Sequence, residues 1–439
     1  MGSYVPSTLK EQKEMLESIG LSSIDELFAH IPDELKLKGE LNIPSGKSEM
    51  EVSRTMKDIA SHSHIFGTIF RGAGAYSHYI PSIVKSVVSK EEFVTAYTPY
   101  QAEISQGILQ SIFEYQTMIC ELTGMDVSNA SVYDGATAAA EAVNMCCERS
   151  RQVVFCSEAA HPDTISVIKT YCWAAGHELV LVPHKDGKTD WDSIASQLDK
   201  KTSACVYVQS PNFFGQLEEV EKAAELIHSV GGKLICGCNP IALGAIKTPA
   251  EQGADIAVGE GQPLGMSLSF GGPYLGFMAA TSAMMRKLPG RIVGETTDVD
   301  GKRAFVLTLQ AREQHIRREK ASSNICSNQA LCAMTASVYL AAMGPEGLRR
   351  AALMCYQNAH TLAEKLCSIP GIQLKYTGTF FHEFVTKQTD SDRILSALEK
   401  EGILGGYPLE NGNILWCATE KNTTEEIDKV VNIIRKELM

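Results

Sequence analysis

The chain has 439 residues, of which 44% are hydrophobic and 21% are charged, as is ordinary for a folded globular protein. Its 40 basic and 52 acidic residues give a formal net charge of −12, which argues against a nucleic-acid-binding protein. The thirteen cysteines are odd in number and widely spaced, and no secretory signal opens the chain. We therefore expect reduced thiols, a cytoplasmic location and no metal site. Two uncharged stretches, 261–285 and 322–345, contain glycine, proline or polar residues and predict buried core rather than membrane spans.

The first 63 residues predict a helical N-terminal arm. Apolar residues recur three and four apart over 9–19 and 24–29, and a charged helix begins near Glu49. Residues 64–101 are rich in glycine and aromatic residues, a composition found at sites and interfaces but also in ordinary turns. A helix over 103–122 follows, with Gly124 suited to its C-terminal cap.

Small residues at the predicted helix start in 133–141 leave backbone N–H groups open to an anion. On this motif alone, an ordinary capped helix with closely packed alanines is the simpler interpretation.

From residue 152 onwards, short apolar strands alternate with helices. The predicted strands cover 152–156, 178–183, 204–209, 233–237, 255–258 and 274–280. This rhythm predicts a large α/β domain over 64–321 with a parallel-rich sheet, whose ligands bind at the carboxyl ends of the strands. A helix over 322–343 and a shorter α/β pattern, ending in a helix over 424–438, then predict a smaller C-terminal α+β domain over 322–439.

Five segments carry more specific motifs. They read TPYQAEISQG over 98–107, MICELTGM over 118–125, YDGATAAAE over 133–141, GEGQPLG over 259–265 with FGGP over 270–273, and REQHIRREK over 312–320 with SNIC over 323–326. Together they resemble glycine decarboxylase, the P-protein of the glycine cleavage system, over nearly the whole chain. The length is similar to that of subunit 1 (alpha) of the split, two-subunit form of this family.

This resemblance implies a fold type I pyridoxal-phosphate-dependent transferase-like large domain. It also implies the family reaction: glycine is decarboxylated, CO2 leaves, and the aminomethyl group passes to the lipoyl arm of the H-protein. Pyridoxal phosphate supplies the electron sink for that chemistry. The implied assembly is an α2β2 tetramer in which the beta subunit carries the cofactor, with no membrane or nucleic-acid partner.

A pyridoxal-phosphate site needs a lysine for its Schiff base and usually an acidic group beside the pyridine nitrogen. Enzymes that this chain resembles place the lysine shortly after a Gly-Ala-Asp strand, but no lysine occurs here between Lys247 and Lys287, and Gln262 stands near the expected position. The strand over 233–237 is followed by Cys238 and Asn239 rather than a carboxylate. We therefore expect no certain catalytic residue and no covalent cofactor on this chain. The expected vestigial pocket comprises Gly135, Ala136, Thr137, His161, Asn239 and Gln262.

Active sites of this fold lie near subunit interfaces, so this chain is expected to contribute side chains to its partner. The candidates are Arg71, Tyr76, His78, Tyr97, Thr98, Tyr100 and Gln101, although these residues could simply seal the interface. Arg312, Arg317, Arg318 and Lys320 form a basic cluster that could face the H-protein, although a solvated helix face explains most of it equally well.

Two alternative functions remain at this point. One is a self-sufficient pyridoxal-phosphate aminotransferase or desulfurase, against which the absent lysine argues. The other is a non-catalytic regulatory protein on the same fold.

Overall fold

The computed structural model describes residues 7–321, 323–325 and 327–438, and these group into two compact units that divide between His64 and Ile65. The first unit holds the helices Leu9–Ser18 and Glu49–Ser61 and a 3-10 turn over Ile24–Phe28. Each α-helix begins at a reciprocal capping box, in which a Ser or Thr and a Glu three residues later bond each other's backbone. A further boundary at residue 321/322 remains our proposal.

The second unit is built on a seven-stranded sheet. Its strands, in spatial order, are Val127–Ser128, Gly276–Ala280, Ile256–Glu260, Lys233–Cys238, Ser203–Ser210, Val153–Ser157 and Glu178–Val182. All neighbouring pairs are parallel except the two that involve Gly276–Ala280. The predicted parallel-rich sheet is confirmed, with one strand running against the others.

Helices cover both faces of this sheet, because its strands carry apolar side chains on both faces. Along Ser203–Ser210, Val206 and Val208 enter one apolar cluster while Cys205 and Tyr207 enter another. Successive side chains of a strand point to opposite faces, so each cluster occupies one face. The main covering helices are Gln106–Thr123, Gly135–Cys146, Pro162–Ala175 and Val220–Ser229.

A four-stranded antiparallel sheet follows near the C-terminus. Its order is Gln373–Leu374, Glu383–Lys387, Asn413–Cys417 and Tyr407–Pro408. The helices Ser391–Lys400 and Thr424–Leu438 accompany it. Three two-stranded ladders complete the strands, formed by Thr68–Ile69 with Ile403–Leu404, His184–Lys185 with Lys188–Thr189, and Ile292–Thr297 with Arg303–Thr308.

Several short helices connect these elements. The α-helical ones are Ser82–Val88, Glu91–Val94 and Gln314–Arg317. The 3-10 turns are Trp191–Ile194, Ala242–Gly244, Ser282–Lys287, Gln310–Arg312, Arg318–Lys320 and Glu410–Gly412.

The helix predicted over 322–343 is placed differently. It begins at Ala330 and runs to Cys367, with a break at Gly344, where φ is 62°. Immediately before it, the Asn328 side chain donates to the carbonyl of Ala130 and to the hydroxyl of Ser131, which fixes this segment against the large domain outside the helix. Ser322 and Cys326 lie outside the described residues. No helix in the described part of the chain combines the length and apolar character that a membrane span needs.

Candidate functional site

A cavity of about 490 Å³ lies at the carboxyl edge of the large sheet. Gln209, Cys238 and Glu260, at or near the ends of three adjacent strands, all line it. This edge is where sheets of this type bind ligands, and the volume falls in the range of small-molecule sites. Of the predicted vestigial pocket, Gly135, Ala136, His161 and Asn239 line the cavity, whereas Thr137 and Gln262 lie beside it.

The start of helix Gly135–Cys146, where the sequence left an anion cup possible, is occupied by the chain's own carboxylates. The Gly135 N–H donates to Oε2 of Glu260 over 3.0 Å, and the Thr137 N–H donates to Oδ1 of Asp134 over 2.8 Å. Oε1 of Glu260 accepts two more backbone N–H groups, from Gln262 and Leu275. Burial raises the pKa of Glu260 to about 7, although these three hydrogen bonds act in the opposite direction.

Gln262 serves as a structural link near the position where the resemblance implies a lysine. Its Nε2 donates to the carbonyls of Tyr76 and Met266, at 3.1 and 2.7 Å, while its Oε1 accepts from the Tyr76 N–H. The side chain is buried, so its amide ties the segment after Gly261 to the glycine-rich loop that contains Tyr76.

Asn239 and His161 are also engaged in local structure. Oδ1 of Asn239 accepts the N–H groups of Ile241 and Ala242. Nδ1 of His161 accepts from the Asp163 N–H, and its Nε2 lies 2.9 Å from the carbonyl oxygen of Ala73. A Cβ at Gly74, whose φ is +98°, would come within 2.5 Å of that imidazole, so this close approach requires glycine.

Two further buried groups, Glu383 and His382, also line the cavity. Glu383 is 3% exposed and accepts from the Tyr76 hydroxyl at 2.7 Å and from the Ala73 N–H at 2.7 Å. Burial raises its pKa to about 7, against the effect of these bonds. His382 is 2% exposed, and neither ring nitrogen has a partner among the described residues. Burial, reinforced by His78, lowers the pKa of His382 to about 3, so the ring is neutral at pH 7.

The charge of the cavity wall does not suit the family cofactor. Four carboxylates line it, those of Asp134, Asp163, Glu260 and Glu383, and none of its described lining residues is a lysine or an arginine. A phosphate dianion in this cavity would face like charges, and the N–H groups of Gly135 and Thr137 are already taken. Together with Gln262 and Asn239, these features show that the residues present do not fit pyridoxal phosphate.

Residues 97–101 line a second groove, separate from the cavity at the sheet edge. Tyr97, Thr98, Tyr100 and Gln101 line a groove of about 450 Å³, and Tyr97 is 85% exposed. The Tyr100 hydroxyl accepts from the guanidinium of Arg291 at 3.2 Å, and this guanidinium also lies 5.3 Å from the centre of the Tyr100 ring. The structure therefore holds the Tyr100 ring in place while leaving its neighbour Tyr97 open to solvent.

The predicted candidates in 71–79 separate into three environments. Tyr76 lines the cavity, whereas the Arg71 guanidinium donates to the carbonyls of Gly405 and Gly406. The imidazole of His78 lies 2.8 Å from the carboxylate of Glu420.

Glu420 also accepts from the thiol of Cys355, so His78, Cys355 and Glu420 present three ligand atoms within 4.8 Å of one another. Such a set could hold a metal ion, whereas the sequence predicted no metal site. The three residues are distant in sequence, so spacing gave no signal.

The predicted basic cluster is divided. Arg312 donates to the carbonyls of Leu288 and Gly290 and is partly buried. Arg317, Arg318 and Lys320 are exposed, on a four-residue helix and the 3-10 turn that follows it. Only these last three present charge at the surface.

Sequence reasoning missed the acidic wall of the cavity. Glu260 lies in the GEGQPLG motif over 259–265, and its position at the end of a predicted strand was the available signal. His382 and Glu383 come from the C-terminal part of the chain, so only the tertiary fold brings them to this edge.

Comparisons with known proteins agree with the motifs. The family model described as glycine cleavage system P-protein matches residues 2–434. A protein of Carboxydothermus hydrogenoformans, named probable glycine dehydrogenase (decarboxylating) subunit 1, is 52% identical over 440 residues, covering 98% of this chain and 99% of the relative.

Two solved structures extend the comparison. An inhibitor-bound glycine decarboxylase (P-protein) of the glycine cleavage system has a TM-score of 0.92 and 40% identity, with 99% of this chain and 100% of that chain covered. A C-DES variant with glycine covalently linked to its PLP cofactor, 13% identical with a TM-score of 0.61 over 87% of this chain and 98% of that one, shares the fold alone. The fold is that of the fold type I pyridoxal-phosphate-dependent enzymes, and the chain belongs to the glycine cleavage system P-protein family.

Proposed function

We propose that this chain is the alpha subunit of a two-subunit glycine dehydrogenase (decarboxylating). With its beta partner it decarboxylates glycine, releases CO2 and transfers the aminomethyl group to the lipoyl arm of the H-protein. The observation that carries this proposal is the match over 98% of the chain to a relative that is named subunit 1 of that enzyme.

The acidic cavity of this chain supports a complex in which the other subunit binds the cofactor. Gln262 cannot form a Schiff base, and Glu260 takes the N–H that a phosphate would need. The cofactor is therefore expected on the beta subunit, within an α2β2 assembly in the cytoplasm. The absence of a Schiff-base lysine near Gln262 also disfavours a self-sufficient aminotransferase or desulfurase.

Two surfaces are proposed to meet the partners. The groove of Tyr97, Thr98, Tyr100 and Gln101 is assigned to the beta subunit, because its exposed aromatic side chains suit a protein interface. The exposed charges of Arg317, Arg318 and Lys320 are assigned to the H-protein, because they stand out in a chain of net charge −12.

The test is reconstitution from purified components. The chain is co-expressed with its beta subunit, the complex is isolated, and exchange of label between bicarbonate and the glycine carboxyl is measured with lipoylated H-protein. Exchange is expected from the complex and from neither subunit alone. Exchange by this chain alone would favour a self-sufficient enzyme, and no exchange by an intact complex would favour the regulatory alternative.

A further inference from the structure

Three potential metal ligands meet outside the cavity at the sheet edge. His78 lies in the glycine-rich loop, and Cys355 lies in the long helix Ala330–Cys367. Glu420 follows the strand Asn413–Cys417. Nδ1 of His78 and Sγ of Cys355 both contact Oε2 of Glu420, at 2.8 and 3.2 Å, and the three ligand atoms all lie within 4.8 Å of one another. The tertiary fold therefore brings a nitrogen, a sulfur and an oxygen donor together.

The spacing of these atoms suits a zinc ion. Zinc binds sulfur at about 2.3 Å and nitrogen or oxygen at about 2.0–2.1 Å, so a tetrahedral site holds its ligand atoms roughly 3.3–3.6 Å apart. The two contacts to Glu420 are slightly shorter than this, because hydrogen bonds join the atoms. An ion that replaced the shared protons would need side-chain movements of only a few tenths of an ångström.

Charge balance also favours a divalent ion. His78 and Cys355 are buried, and the Glu420 side chain is 10% exposed. A buried charge is costly unless opposite charges compensate it. On binding, the Cys355 thiol releases its proton to solvent, so thiolate and carboxylate together offset the two positive charges of the ion, while His78 coordinates as the neutral imidazole. The partly exposed Glu420 gives the ion a route of entry.

A buried hydroxyl beside the cluster lacks a hydrogen-bond partner. Tyr339 is fully buried, and its hydroxyl bonds to none of the described residues. Burial raises the pKa of Tyr339, and Glu420 and Cys355 add to this rise, so the hydroxyl lies near them. Three protein ligands leave the fourth position of a tetrahedral zinc ion to water. Such a water would offer the Tyr339 hydroxyl a partner.

We propose that His78, Cys355 and Glu420 form a zinc-binding site. Thiolate and imidazole ligands select a transition-metal ion over Mg²⁺ and Ca²⁺, which prefer oxygen ligands. The ion would tie the glycine-rich loop, whose Tyr76 lines the cavity, to the long helix and to the segment that contains Glu420. Binding needs neither a partner chain nor a cofactor, so a failure of this proposal would leave the proposed enzymatic function untouched.

The experiment titrates the purified full chain, stripped of metal with a chelator and kept under argon, with Co²⁺ as a spectroscopic substitute for Zn²⁺. Charge-transfer absorption from thiolate to cobalt reports the bond to Cys355. We expect one Co²⁺ per chain, which one equivalent of Zn²⁺ displaces and about a thousandfold excess of Mg²⁺ does not. The affinity for Zn²⁺ is then measured by competition with a chromogenic chelator.

Variants locate the site, and circular dichroism checks that each one is folded. Cys355→Ser should abolish the charge-transfer absorption, and Cys355→Ala replaces it should the first variant fail to fold. Glu420→Gln keeps an acceptor for the Tyr79 N–H and should weaken Zn²⁺ binding at least about tenfold. Cys120→Ser removes a partly buried thiol outside the cluster, and this control should bind as the parent chain does.

Three results would overturn the proposal. The first is no saturable binding of Co²⁺ by the parent chain, which would leave the three residues as a hydrogen-bonded network alone. The second is charge-transfer absorption of equal intensity in the parent chain and a folded Cys355 variant. The third is an equal loss of binding in Cys120→Ser and the cluster variants.

Discussion

The carboxylate of Glu260 accepts the backbone N–H of Gly135 at 3.0 Å, at the start of the helix Gly135–Cys146, whose unpaired N–H groups would otherwise be open to an anion. The backbone approaches closely here, because a Cβ on Gly135 would lie 2.7 Å from the Glu260 nitrogen. Glu260 and the N-cap Asp134, which accepts the Thr137 N–H, therefore satisfy two N–H groups of the helix terminus from within the chain.

Glu260→Ala should lower the stability of the chain by roughly 2–3 kcal/mol, because it leaves three backbone N–H groups without their acceptor. The measurement is urea unfolding followed by circular dichroism. Glu319→Ala, on the exposed surface, is the control and should change stability by less than about 0.5 kcal/mol. Equal stabilities for the two variants would mean that water replaces the Glu260 carboxylate without cost.

Glu383→Gln should change how stability depends on pH. The folded pKa of Glu383 is raised by burial from its ordinary 4.5 to about 7, so its stabilising effect is complete below pH 4.5 and is lost as the pH rises through 7. The neutral amide has no such loss. Relative to the parent chain, the variant should gain up to about 3 kcal/mol between pH 4.5 and pH 8.

The check is urea unfolding of both proteins at several values of pH. A constant difference between them across this range would contradict the raised pKa. A gain in stability by the variant that grows as the pH falls would contradict the direction of the Glu383 pKa shift.

Tyr100→Phe should lower turnover of the alpha–beta complex about tenfold, as expected if the hydroxyl that accepts from Arg291 also orders the partner's site. Steady-state exchange kinetics of the reconstituted complex provide the measurement. Tyr356→Phe, a half-exposed tyrosine outside both candidate sites, should retain full turnover. Unchanged kinetics in Tyr100→Phe with a less stable complex would reduce the hydroxyl to a packing role.

Gln262→Lys should not create a cofactor site. The substitution breaks three hydrogen bonds to Tyr76 and Met266, leaves Glu260 in the cup, and supplies no carboxylate at Asn239. The variant is incubated with pyridoxal phosphate, treated with borohydride and analysed by mass spectrometry, and no covalent adduct is expected on the introduced lysine. A stable adduct at that position would show that the pocket is otherwise intact.

Local patterns predicted much of the fold. Alternation of apolar strands and helices identified the parallel sheet, and the final helix covers Thr424–Leu438, as predicted. A capping box of Thr423 and Glu426 lies at its start. Local patterns could not predict that the long helix starts at Ala330, because tertiary hydrogen bonds of Asn328 hold the preceding segment in place.

The candidate site was predicted only in part. The absence of a lysine near Gln262 is a property of the sequence, and it identified a pocket unsuited to the family cofactor. Which side chains line this pocket depends on which residues the fold brings to the sheet edge. Glu383 lies 248 positions after Gly135 (383 − 135), so no local pattern relates the two.

On the proposed function, this chain completes an active unit whose cofactor belongs to its partner. The most direct measurement is to reduce the functional alpha–beta complex with borohydride and locate the phosphopyridoxyl label by peptide mass spectrometry. We expect one label per alpha–beta pair, on a lysine of the beta subunit, and none on this chain. A stoichiometric label on any lysine of this chain would contradict it.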